Sequence, residues 1–226
     1  MTIKKVAVIG GGTMGRQIAL NAAISGFDTA LNDSIPAVLD AVAKWSEEYL
    51  ADRVAKGKMT EEEAKAVKNR FHLEGDLEKA VKDVDLVIEA IIENLDAKLD
   101  LFEKLDKLCK KEAILASNSS TFFPSMYNVR TGRPDKVIGM HYFNPALHMK
   151  LLEVVMSDKV SAETLQAVQE YGKNTGKKVI VVQKEIPGFI VNNLLGGITN
   201  VAWELLEGGY ATYQDIDLGA ELGLGH

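Results

Sequence analysis

Residues 6–15 read VAVIGGGTMG, four apolar residues running into three glycines, with a fourth glycine three positions later. A short apolar run ended by glycine has the pattern of a buried parallel strand, here 4–10. Ile18, Ala19, Ala22 and Ala23 then share one helical face, so 13–25 is expected to be a helix. A strand, a glycine turn and a helix in that order are the context in which G-x-G-x-x-G holds a dinucleotide. Gly10 permits the tight turn, Gly12 lets the backbone approach a pyrophosphate, and Gly15 lets the helix lie close to the strand. Thr13 and Met14 open the helix, whose free N–H groups and positive dipole end suit phosphates. FDTALND (27–33) completes a β-α-β unit. It ends on Asp33, near the spacing expected for the acid that accepts from the adenine ribose. No Lys or Arg follows in Asn32-Asp33-Ser34-Ile35, so the expected cofactor is NAD rather than NADP.

Further strands are expected at 71–75, 85–91, 113–118, 136–143, 151–156 and 177–182, with helices over 96–110 and 161–175. A helical hairpin, about 36–70, separates the second strand from the third. Val38, Val42, Trp45 and Tyr49 form one stripe of it, Gly57 breaks it, and Thr60 with Glu63 fits a capping box. The class is therefore α/β, a Rossmann-type doubly wound, mostly parallel sheet. At Pro187-Gly188 the strands stop, and Phe189–Leu206 and Thr212–Leu222 read as helices. The expected domains are 1–186, a dinucleotide-binding domain, and 187–226, the start of an all-α second domain.

A net charge of −6 argues against nucleic acid or an anionic membrane surface as partner. No apolar run approaches the ~20 residues of a membrane span. The first strand begins by residue 4, so no leader is expected, and the expected location is cytoplasmic. The one cysteine, Cys109, falls beside Leu101, Leu105 and Leu108, where a buried, non-catalytic thiol is expected. No metal site is expected.

ILASNSS (114–120), VIGMHYFNP (137–145), LLEVV (151–155) and PGFIVNN (187–193) each place polar residues at or near the end of an apolar segment. Ligands of open α/β sheets sit at the carboxyl ends of strands. In this order the segments resemble the L-3-hydroxyacyl-CoA dehydrogenase family, most closely its bacterial 3-hydroxybutyryl-CoA branch, from residue 3 to the last residue. GMHYFNP and PGFIVNN are far more specific than the glycine motif.

The resemblance implies roles for several residues. His141 matches the catalytic histidine and Glu153 its carboxylate partner. Ser120 matches the serine at the substrate's 3-oxygen, close to the cofactor, and Asn192 an asparagine beside the same centre. Glu93, Lys98 and Asn144 match residues near the nicotinamide and its ribose. Lys56 and Lys58, at the hairpin tip, are candidates for the phosphates of coenzyme A. Structural alternatives stand beside these: Ser120 as the N-cap of a helix over TFFPSMYNV, Asn192 as a cap, Lys98 as a solvated lysine and Asn144 as a turn residue.

The implied activity is NAD-dependent interconversion of a (3S)-3-hydroxyacyl-CoA, in this branch 3-hydroxybutyryl-CoA, and its 3-oxoacyl-CoA, in fatty acid and butanoate metabolism. One alternative is a related hydroxyacid or sugar-acid dehydrogenase. The hydroxyacid enzymes place a lysine four residues before the asparagine, where this chain has Gly188. The other is an NAD-binding chain with little turnover. This sequence departs from the family in reading Asn118-Ser119-Ser120 for Asn-Thr-Ser, which keeps the hydroxyl. Family members also continue past the position of His226 through helices that form the dimer interface and close over the substrate. Ile190, Leu194, Ile198, Val201 and Leu205 are therefore expected to include exposed residues, and the chain to form a homo-oligomer, with altered or exchanged helices.

Overall fold

β1 (Lys5–Ile9) is buried at every position after its first, and its side chains alternate between two cores. Val6 and Val8 face one side, Ala7 and Ile9 the other. This two-sided burial is why the strand is a near-continuous apolar run. The computed structural model describes residues 2–225, in two compact units, Met1–Glu185 and Ile186–His226.

In the first unit β1 leads into α1 (Thr13–Ile24), β2 (Asp28–Asn32), α2 (Pro36–Ala55), α3 (Glu61–Arg70) and β3 (Phe71–Glu74). Next come α4 (Leu77–Val81), β4 (Leu86–Glu89), α5 (Leu95–Leu108), β5 (Ile114–Ser117) and α6 (Pro124–Asn128). The unit ends with β6 (Val137–Tyr142), β7 (Leu151–Val155), α7 (Ala162–Asn174) and β8 (Lys178–Val182). The eight strands form one sheet in the order β3-β2-β1-β4-β5-β6-β7-β8, a doubly wound, mostly parallel arrangement. The chain reverses direction across the sheet between β1 and β4, so the ligand crevice of such a fold lies at their carboxyl ends.

One pairing breaks the parallel run. β6 and β7 are antiparallel, because the segment 143–150 between them is too short for a crossover helix. That pairing sets Glu153 directly opposite His141.

α1 and α7 cover one face of the sheet, through Ile18, Ala22, Val168 and Tyr171. α4, α5 and α6 cover the other, through Val81, Phe102, Leu105 and Tyr127. The α2–α3 hairpin packs on the outer side of α1, with Leu50, Ala64 and Val67 against Leu20 and Ala23. Thr60 starts α3 in a capping box with Glu63, which gives that helix end reciprocal partners for two free N–H groups.

The C-terminal end of α5 is closed by one side chain. Buried Arg133 donates to the Asp106 carboxylate at 2.8 Å and to the carbonyl oxygens of Asp106 and Lys110 at 2.7 and 2.5 Å. Arg133→Met is expected to cost about 3 kcal/mol, since it strips partners from a buried helix end and from a carboxylate. A lower urea midpoint with an unchanged far-UV spectrum is the expected observation.

The second unit holds α8 (Val191–Glu207) and α9 (Tyr213–Gly219), extended by one π-helical turn over Ala220–Leu224. No residue of α8 or α9 is buried. The row Ile190, Leu194, Ile198, Val201 and Leu205 is exposed throughout, up to 64% at Leu194.

Candidate dinucleotide cleft and His–Glu pair

The turn after β1 is shaped by three glycines with different reasons. Gly10 has φ +106°, a conformation that side chains disfavour, and a Cβ there would lie 2.6 Å from the carbonyl oxygen of Ala90. Gly12 caps α1 without a side chain that could take up the first N–H groups, and its missing Cβ points into open space. Gly15 lies so close to the turn that a Cβ would come within 1.8 Å of the Gly10 carbonyl oxygen. The helix start thus presents free donors beside bare backbone, which fits a pyrophosphate. Gly11, for which the sequence suggested no role, donates its N–H to Asp33 Oδ2 at 2.8 Å. The Ile35 N–H binds Asp33 Oδ1 at 2.9 Å. Two backbone donors therefore fix the carboxylate at the end of β2.

Two clefts open on either side of this turn. One, about 420 Å³, is lined by Gly10, Asp33, Ser34, Leu77, Ile91 and Lys104. The other, about 450 Å³, runs from Gly12, Thr13 and Met14 to Glu93, Lys98 and Ser120. Ile91 lines both. A carboxylate at the end of β2, a glycine turn opening a helix and a further cleft in series have the shape of a dinucleotide site, and NAD fits them.

The floor of the second cleft is ionic. Glu89, the last residue of β4, is fully buried. It accepts from Lys98 Nζ at 2.6 Å, from Ser117 Oγ at 2.6 Å and from the Ile91 N–H at 2.8 Å. Lys98, 1% exposed, also reaches Glu93 Oε2 at 3.2 Å. The structure thus replaces the solvated-lysine alternative with a lysine buried between two carboxylates, one of which repays its desolvation at short range. The Ser119 hydroxyl donates to Glu93 and accepts from the N–H groups of Thr121 and Phe122. Burial pushes the Glu93 carboxyl up, but the Ser119 hydroxyl and Lys98 ammonium outweigh it and hold the group below its ordinary value. Sequence reasoning missed Glu89. Its signal was a carboxylate at the last position of an otherwise apolar strand, which has to find partners when buried.

Ser120 ends that cleft and joins it to the histidine. Its hydroxyl lies 2.8 Å from His141 Nε2, and His141 Nδ1 lies 2.7 Å from Glu153 Oε2. Glu153 is fully buried and His141 is 4% exposed. An ionised carboxylate only accepts, so Nδ1 carries the proton, and in the neutral ring Nε2 accepts from Ser120. Ser120 is not the cap of the following helix; Phe123 holds that position in α6. Phe143 packs edge-on to the imidazole, with ring centroids 4.7 Å apart.

Asn118 accepts the Tyr142 N–H at 2.9 Å, tying the end of β5 to β6. Asn144 is exposed and lies 3.4 Å from Gln17 of α1. Lys56 and Lys58 are exposed between α2 and α3, with Lys56 paired to Asp52 at 2.9 Å. Asn192 belongs to the second unit, exposed on the first turn of α8. The structure therefore brings together Glu93, Lys98, Ser120, His141 and Glu153 within the first unit.

Cys109 is buried and its thiol is pushed up to about 12 by that burial, so it remains protonated and unreactive. Among the described residues no helix is long and apolar enough to cross a membrane, and no group of three or more His, Cys, Asp or Glu is placed to hold a metal ion.

Comparison with known proteins follows this division. Residues 5–186 match the model for the 3-hydroxyacyl-CoA dehydrogenase NAD binding domain, and 188–226 that for the C-terminal domain. The 3-hydroxybutyryl-CoA dehydrogenase of Clostridioides difficile is 37% identical over 222 residues, covering 98% of this chain and 78% of that protein. The mitochondrial hydroxyacyl-coenzyme A dehydrogenase of Sus scrofa is 39% identical over 230 residues, covering 99% and 73%. The structure of (S)-3-hydroxybutyryl-CoA dehydrogenase from Ralstonia eutropha superposes with a TM-score of 0.94 at 33% identity, covering 100% of this chain and 79% of that one.

Proposed function

The chain belongs to the 3-hydroxyacyl-CoA dehydrogenase family, and from that premise we propose that it interconverts (3S)-3-hydroxybutyryl-CoA and acetoacetyl-CoA through a His141–Glu153 pair. The observation that carries this reading is the imidazole held between Glu153 and Ser120 at the end of the cleft that begins at the glycine turn.

NAD supplies the hydride acceptor or donor when bound, held by Gly10, Gly12, Thr13, Met14, Gly15 and Asp33 at its adenosine and phosphate end. Glu93, Lys98 and Asn144 serve its nicotinamide end. In alcohol oxidation His141 Nε2 takes the hydroxyl proton as the carbon–oxygen double bond forms, and in ketone reduction it returns that proton to the oxygen. Glu153 keeps Nδ1 protonated, so Nε2 stays the basic nitrogen, and it stabilises the imidazolium once the proton has moved. The Ser120 hydroxyl can turn from Nε2 toward the substrate oxygen and stabilise negative charge there. Lys58, exposed at the hairpin tip, is available to coenzyme A phosphates. The exposed apolar row of α8 supports a homo-oligomer, because such a patch favours burial against a partner.

Oxidation of NADH by acetoacetyl-CoA and by free acetoacetate tests the reading. The expected kcat/KM is at least about 100-fold higher for the CoA ester, on the order of 3 kcal/mol of transition-state binding. Equal rates would overturn it in favour of a free-acid dehydrogenase. NADH binding with no turnover of either would favour a binding protein.

A further inference from the structure

The ionic row Glu89–Lys98–Glu93 contains two carboxylates and one ammonium, so it carries one uncompensated negative charge. Glu89 and Lys98 are sealed from solvent, whereas Glu93 is 41% exposed. Glu93 and Lys98 line the 450 Å³ cleft, and every other residue lining it is neutral. The phosphate turn bounds this cleft at one end and Ser120, bonded to His141, at the other. A ring that exchanges hydride beside His141 has to lie between those two ends.

We propose that this row sets the redox-state preference of the cofactor site, its single negative charge favouring the oxidised, cationic nicotinamide over the neutral reduced one. Glu89 acts here as a positioning residue. It holds Lys98 by a short ion pair and keeps the ammonium from neutralising Glu93 alone. A second Glu89 oxygen accepts from Ser117, whose Oγ in turn accepts the Ser119 N–H at 3.1 Å. The row is thereby fixed to the loop that carries Ser120. The adenosine and phosphate parts are the same in both cofactor forms. A charge on the nicotinamide side therefore changes the ratio of the two affinities, whereas a loss of shape weakens both. The inference rests on the proposed NAD site and deepens it.

The test is calorimetric titration of the full chain with NAD+, NADH and ADP, which keeps the adenosine and pyrophosphate but lacks the nicotinamide and its ribose. Glu93→Gln and Glu89→Gln each remove one negative charge. Each is expected to raise the ratio Kd(NAD+)/Kd(NADH) about fivefold, with ADP affinity unchanged. The pair Glu89→Gln/Lys98→Met removes one charge of each sign and leaves Glu93, so the ratio is expected to stay within about twofold of the unsubstituted chain. If Glu89→Gln fails to fold, Glu93→Gln at its half-exposed position carries the test. Equal weakening of NAD+ and NADH, or an equal loss for ADP, overturns the proposal while leaving the NAD site standing. Failure of the unsubstituted chain to bind any of the three overturns the dinucleotide reading and this proposal with it.

Discussion

His141→Gln is expected to lower kcat for acetoacetyl-CoA reduction by about 10³-fold, while the Kd for NADH changes by less than about threefold. Glutamine keeps much of the volume and a hydrogen-bonding end, so the packing between Phe143 and Glu153 suffers little. It cannot take up or release a proton near neutral pH, which is the function the ring performs in the proposed reaction. The cofactor cleft is lined by Ser120 rather than by the imidazole itself, so cofactor affinity has little reason to follow. Stopped-flow reduction at saturating NADH, together with a fluorescence titration of NADH, separates the two quantities. Wild-type turnover in the variant would remove His141 from the reaction. A parallel loss of NADH binding would make its role structural.

The second large effect comes from the glycine turn, where two alanine substitutions are expected to fail differently. Gly15→Ala drives a methyl group into the Gly10 carbonyl oxygen. No side-chain movement relieves a clash with backbone, so the loss is expected to exceed about 3 kcal/mol, well above the ~1 kcal/mol that alanine contributes to helix propensity. Gly12→Ala meets nothing within 4 Å, and its φ of −65° suits alanine. Stability is then expected to hold within about 0.5 kcal/mol. NADH affinity is expected to fall at least about tenfold, because the new methyl occupies the space where the backbone meets the phosphates. Urea unfolding and NADH titration of both variants read the two effects independently. A Gly12→Ala variant that binds NADH normally would contradict the proposed phosphate position.

These glycines show why the first third of the chain was legible. Gly10 and Gly15 are each required by a backbone approach that no other residue permits, and Asp33 follows from the length of one β-α-β unit. The capping box at Thr60 and the α2–α3 hairpin were equally readable, because capping chemistry and an apolar stripe are local properties. α4 passed unread as a helix, since five residues are too few to show a helical period, and α6 was read only within a longer helix over 121–129. The antiparallel β6–β7 pair was not legible in the strand pattern either. Buried parallel and antiparallel strands have the same apolar composition, and the only indication was the short segment 143–150. Ser120 was ambiguous between cap and site because a serine before a helical stretch looks alike in both; the distance to His141 favours the second. Lys98 was ambiguous for a different reason. A lysine on the first turn of a helix is ordinarily wet, and nothing local reveals that Glu89, nine positions earlier, lies beneath it.

The pairing of β6 with β7 has a consequence for motion as well as for placement. His141 and Glu153 face one another because a ladder of backbone hydrogen bonds fixes their register, and no loop lies between them and the sheet. The distance between imidazole and carboxylate is therefore as persistent as the amide protons of 139–142 and 152–155. Conditions that let those amides exchange also release the histidine from its carboxylate.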